Sequence, residues 1–137
     1  MSASAVRRIA VLYHCPCPDG AFAALAAHMR FTNDTSVRLR FVPHSTSRDL
    51  VLGTDFVVSP DEDVYLLDYA GPRDFALHVS KQSRRVFLLD HHKTALEEHE
   101  RWKTNGLLPD NLDVVLDMNR SGARIAFDYF DLPTAIS

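Results

Sequence analysis

The chain has 137 residues, 46% hydrophobic and 24% charged, which suits one globular domain over residues 1–137 and excludes disordered and fibrous classes. Its formal net charge is −3, so the basic footprint expected of a duplex nucleic-acid binder is missing. No apolar run approaches the roughly 18 residues of a membrane span, so no membrane partner is expected. The two cysteines, Cys15 and Cys17, are too close to build a disulfide framework. With no apolar signal core before Ile9, they fit a reducing, cytoplasmic setting.

In chain order, the apolar run Ile9 to Tyr13 predicts a buried parallel strand. Asp19-Gly20 then opens an Ala-rich helix over Ala21 to Phe31. Val37 to Val42 alternates apolar residues with Arg, as a strand near a sheet edge does. Residues 43–63 are punctuated by Pro43, Gly53 and Pro60, with a short helix expected around Arg48 to Leu52. Val64 to Leu67 predicts a third strand, ending at Asp68, and Pro72 suits the first turn of a helix running to about Val79.

A fourth strand, Val86 to Leu89, ends at Asp90-His91-His92, and Thr94 with Glu97 forms a capping-box pattern for a helix to about Lys103. Asn105-Gly106 ends that helix, and Val114 to Leu116 predicts a fifth strand, ending at Asp117. Asn119 or Ser121 caps a last helix, with Ala123, Ala126, Phe127 and Phe130 at helical spacing and Pro133 just beyond it. Alternating strands and helices predict an α/β fold: a three-layer, doubly wound sheet of about five mainly parallel strands.

Ligands of such sheets gather beyond the carboxyl ends of the strands. Four predicted strands stop at His14, Asp68, Asp90 and Asp117. Turn chemistry explains some of these, but not three potential ligands in a row at Asp90-His91-His92. Carboxylates and imidazoles held together call for a compensating cation, and a mixed oxygen and nitrogen set favours Mn²⁺, Mg²⁺ or a similar ion. A divalent-metal site is therefore expected, with the reaction left open.

The segments His14-Cys15-Pro16-Cys17-Pro18-Asp19-Gly20, Leu66-Leu67-Asp68, Asp90-His91-His92 and Ser121-Gly122-Ala123 resemble, in order, the motifs of the DHH phosphoesterase family. The resemblance spans residues 9 to about 130 and implies hydrolysis of a phosphodiester or phosphoanhydride with one or two Mn²⁺ or Mg²⁺ ions. The implied substrate is a small phosphorylated molecule or a short oligonucleotide. The resemblance implies that His14, Asp19 and Asp68 hold one ion, and that Asp68 bridges to a second held by His91. Asp90 would orient the site, His92 would face the phosphate, and Ser121 and Gly122 would offer it backbone N–H groups. Apart from the resemblance, Arg120 and Arg124 lie four apart, a spacing that suits phosphate contact from one helix face.

The pattern departs from the family in two places. Ala21 stands where many members carry a second carboxylate of an Asp-x-Asp motif. The family's further Asp and smaller C-terminal domain, which follow the Ser-Gly-Ala helix, do not occur before Ser137. An alternative expectation is therefore a catalytically weak or inactive binding module. A third is a subunit completed by self-association through bare apolar surface near Phe127, Phe130 and Leu132.

Several candidates carry a plainer reading as well. Asp19 suits a helix cap, Asp117 a strand end, and Lys93, Arg120 and Arg124 a solvated face. Cys15 and Cys17 suggest zinc or redox chemistry as one reading, but with no second cysteine pair they read as small loop residues, and Trp102 reads as a packing residue, with base stacking the lesser reading.

Overall fold

A computed structural model describes residues 6–45 and 47–132. Pro133, expected just past the last helix, lies outside them.

Five strands form one sheet: β1 (Arg7–His14), β2 (Val37–His44), β3 (Glu62–Leu67), β4 (Arg85–Asp90) and β5 (Leu112–Leu116). Their order is β2-β1-β3-β4-β5, and every pairing is parallel. Helices α1 (Pro18–Phe31), α2 (Phe75–Ser80), α3 (Lys93–Thr104) and α4 (Gly122–Tyr129) flank the sheet. The fold is therefore a three-layer α/β sandwich.

Successive side chains on a strand face opposite ways, so a sheet covered on both sides needs unbroken apolar runs. Ala10, Leu12, Val64, Leu66, Val86 and Leu88 join one core with Phe56, Phe75, Val79 and Trp102. Their neighbours Ile9, Val11, Tyr65, Leu67, Phe87 and Leu89 join the other, with Ala23 and Ala27 of α1, Ile125 of α4 and Phe130 just past it. Strand β2 pairs only with β1, and this edge position is where a strand tolerates Pro43.

The chain leaves β1 through α1 toward β2, and leaves β3 through α2 in the opposite direction toward β4. A crevice therefore opens at the carboxyl ends of β1 and β3, the place where such sheets bind ligands. Gly20 lets α1 begin there, because a Cβ at this position would lie 2.1 Å from the His14 carbonyl oxygen.

Some local expectations fail for identifiable reasons. No helix forms at 48–52. The Asp55 carboxylate takes the Val51 N–H at 2.7 Å and the Arg48 guanidinium at 2.8 Å, closing a turn instead. Helix α2 starts at Phe75 rather than Pro72, because Asp74 sits in the left-handed region with φ 61°. The Thr94/Glu97 capping box does not form: α3 begins at Lys93 behind His92, without a side-chain cap. Ser121 does cap α4, accepting the Arg124 N–H at 3.1 Å.

Trp102 is buried, with its indole N–H donated to Asp74, so it packs and is closed to base stacking. Phe130 is buried, and Phe127 and Leu132 pack partly buried against the same core. Exposed apolar side chains include Tyr129 beside them on α4 and Phe22, Leu25 and Met29 on α1. Among the described residues no helix is long and apolar enough to cross a membrane.

Gly20→Ala is expected to cost about 1–3 kcal/mol by overpacking α1 against β1. Urea unfolding checks it, and a variant as stable as the parent would contradict the close approach.

Candidate metal centre

Three strand ends deliver the polar cluster. His14 closes β1, Asp68 follows β3, and Asp90 closes β4 with His91 and His92 behind it. Asp19 comes from the first turn of α1. The structure thus brings His14, Asp19, Asp68, Asp90, His91 and His92 to one sheet edge.

Asp68 is the centre of the cluster. Its backbone is in the left-handed region (φ 57°), which Asp tolerates better than most residues, and its N–H donates to the Leu89 carbonyl at 3.0 Å. Its side chain is buried and divides its two oxygens between neighbours. Oδ1 lies 2.8 Å from His91 Nε2. Oδ2 faces His14 Nδ1 at 3.8 Å and the Cys17 Sγ at 3.7 Å. Gly122 makes the room, since a Cβ there would lie 2.6 Å from Asp68 Oδ1.

Burial pushes the Asp68 carboxyl above its ordinary value. The negative charges of Asp19 and Asp90 add to this rise, while His91 opposes it.

Asp90 is equally buried. Its Oδ1 accepts the His91 N–H at 2.8 Å and lies 2.7 Å from His92 Nδ1. Its Oδ2 is buried without a hydrogen-bond partner. An unpartnered buried carboxylate oxygen is costly, so this atom is an observation in favour of a cation. The donor chemistry agrees: one ligand atom each from Asp68, Asp90, His91 and His92 lie within 4.8 Å of one another, as do those of His14, Cys17 and Asp68. The residues present fit a divalent metal ion.

Asp19 acts across the molecule. It does not cap its own helix. Its Oδ2 and Oδ1 accept the Gly122 and Ala123 N–H groups of α4 at 2.8 and 2.7 Å. The same Oδ2 lies 3.1 Å from His91 Nε2. One carboxylate therefore caps α4 and reaches the cluster, tying together segments more than a hundred residues apart.

The expected phosphate groups are already engaged. The Gly122 N–H belongs to Asp19, and the Ser121 hydroxyl caps α4. Arg120 pairs with Asp117 at 2.7 Å and with Asp128 at 2.9 Å, and Arg124 also pairs with Asp128. Asp117 accepts the Asn119 N–H, and this bond, with Arg120, holds its carboxyl below the ordinary value. It closes a turn after β5 rather than joining the cluster. Lys93 is exposed at the start of α3.

A cleft of about 360 Å³ opens over the cluster, lined by His14, Asp68, Tyr69, Gly71, Asp90 and His92 among others, and among the described residues no Lys or Arg lines it. Its volume suits one small ligand or the end of a longer one. Comparison with protein-family models, curated proteins and solved structures finds no match for this chain.

Two contributions were set aside or missed by the sequence reading. Cys17, read there as a small loop residue for want of a second cysteine pair, joins His14 and Asp68 in space. Tyr69 lines the cleft with no signal beyond its adjacency to Asp68.

The raised Asp68 value has a definite sign. Its contribution to folding is present below the unfolded carboxylate range and is lost as pH rises through the higher folded value. Metal-free protein should therefore lose stability across that rise, and Asp68→Asn should remove the loss. At neutral pH the variant's thermal midpoint is expected roughly 2–5 °C above that of the chelator-treated parent, with the gap closing in acid. A lower midpoint for the variant at neutral pH would contradict this account.

Proposed function

We propose that this chain is a divalent-metal-dependent phosphoesterase domain of the DHH type, acting on a small phosphorylated molecule or a short oligonucleotide. The single observation that carries the reading is the pair of buried carboxylates, Asp68 and Asp90, among imidazoles with one oxygen left unpartnered. The ordered sequence motifs supply the choice of reaction class.

His14, Asp19, Asp68 and His91 would hold Mn²⁺ or Mg²⁺, one ion or two, with Asp68 shared through its two differently facing oxygens. A bound divalent cation supplies positive charge to phosphoryl oxygens and makes water a nucleophile at neutral pH. The residues around it do the rest. Asp90, at 2.7 Å from His92 Nδ1, favours the proton on that nitrogen and leaves Nε2 for substrate. His92 is half-exposed on the cleft wall, placed to hold a phosphoryl oxygen or pass a proton to the departing one. Asp19 keeps α4 docked against the cluster and so keeps Asp68 seated against Gly122.

A second reading has its own support. Among the described residues no Lys or Arg lines the cleft, the Gly122 N–H is spent on Asp19, and Arg120 is spent on carboxylates. A site that binds metal but anchors phosphate poorly describes a weakly active or inactive binding module.

Calorimetric titration with Mn²⁺ and phosphodiesterase assays on short oligonucleotides and nucleotide phosphates separate these readings. Asp68→Ala should lower Mn²⁺ affinity by at least about 100-fold, and His92→Ala should lower turnover by about 10²–10⁴-fold with metal affinity little changed. Metal binding without turnover favours the binding module. Equal Mn²⁺ binding by parent and Asp68→Ala rejects both.

A further inference from the structure

We propose that Cys17 is itself a metal ligand, its thiolate joining His14 Nδ1 and Asp68 Oδ2 in a sulfur-containing subsite that selects a thiophilic divalent cation such as Zn²⁺. The inference rests on the metal-binding reading above and says which cation one half of that cluster takes.

The geometry separates this subsite from the rest of the cluster. Asp68 Oδ1 is taken by His91, whereas Oδ2 faces the other way, toward His14 and Cys17. Hydrogen bonding explains only part of the second group, the weak S–H contact of Cys17 and not the approach of His14. His14 Nδ1 stands 3.8 Å from Oδ2, beyond hydrogen-bonding range, and Cys17 Sγ at 3.7 Å offers only a weak S–H contact. Those separations suit ligands of a common ion. Nitrogen and oxygen at about 2.0–2.1 Å and sulfur at about 2.3 Å from a tetrahedral Zn²⁺ lie about 3.3–3.6 Å from one another. His14 and Cys17 each need to approach Asp68 Oδ2 by at most about half an ångström, and all three ligand atoms already lie within 4.8 Å of one another.

Two further features favour the site. Cys17 occupies the N-cap position of α1, and its side chain makes no capping bond, so the sulfur is not committed to that helix. Asp68, the shared ligand, is buried, while His14 and Cys17 are part-exposed and leave a cation a way in. Cys15 is not part of the group. Binding releases the Cys17 thiol proton to solvent, leaving the sulfur electron pair for the metal. Thiolate shifts the preference of the site away from Mg²⁺, which takes oxygen ligands, and toward Zn²⁺ and Co²⁺.

Co²⁺ is the spectroscopic probe, with the intact chain and no substrate. Wild type should show a sulfur-to-cobalt charge-transfer band in the near ultraviolet. Cys17→Ser should lose that band and at least about tenfold in Zn²⁺ affinity, with Mn²⁺ affinity changed by less than about threefold. Cys15→Ser should keep the band. Co²⁺ bound to wild type without the band, or a band that survives Cys17→Ser, overturns the role of Cys17 and leaves the metal-binding reading standing. Failure of wild type to bind any of these cations overturns both. Should Cys17→Ser not fold, X-ray absorption of the zinc-loaded wild type answers instead: one sulfur neighbour sustains the proposal and none overturns it.

Discussion

A carboxylate withdrawn from water must find compensating charge or give up its own. That constraint organises this protein, and the two ends of its sheet meet it differently. At the amino ends of the strands, Asp63 is buried between Arg7 at 2.8 Å and Arg84 at 2.7 Å. Glu62 is gripped there by Arg40 through two bonds, at 2.7 and 2.8 Å. Burial raises the Asp63 value, but the two guanidiniums more than offset it and hold the carboxyl below its ordinary range. At the carboxyl ends, Asp68 and Asp90 are equally buried, and among the described residues no guanidinium or ammonium pairs with them. Imidazoles and backbone amides are their partners, and one Asp90 oxygen has none.

The contrast separates a structural use of buried charge from a functional one. Arginine pairs at the amino edge neutralise the charge permanently and help fix the register of β1, β3 and β4. The carboxyl edge leaves its carboxylates to imidazoles and backbone amides, with no fixed positive side chain among the described residues, an arrangement that suits the proposed cation. The close backbone approaches at Gly20 and Gly122 serve the same end, letting α1 and α4 pack tightly enough to set Asp19 and Asp68 against His91.

Reading the fold from the chain worked where one physical signal dominated. The apolar runs at Ile9, Val64 and Val86 mark strands because a parallel sheet covered on both faces leaves no position for a polar residue. Their ends mark the site because backbone polarity and ligand access coincide at that edge. Reading failed where local chemistry had competing partners. Thr94 and Glu97 have the residues of a capping box, yet α3 begins two residues early, behind His92, whose ring nitrogen lies against Asp90. The stretch 48–52 has helix-compatible residues, yet Asp55 captures its amide and its arginine. Ser121 and Gly122 sit at a helix start suited to an anion, and the anion that occupies the Gly122 N–H is Asp19 of the chain itself.

The linear order of residues sufficed for the layer architecture, the parallel strands and a cluster built from His14, Asp68, Asp90 and His91. Those follow from periodicity and strand ends, which depend on near neighbours. Only the folded chain decided that Asp19 would cap α4 rather than α1, that Asp68 would turn one oxygen toward Cys17, and that Arg120 would face carboxylates instead of the cleft. Each is a choice among partners distant in sequence, made by packing and burial that no local pattern encodes.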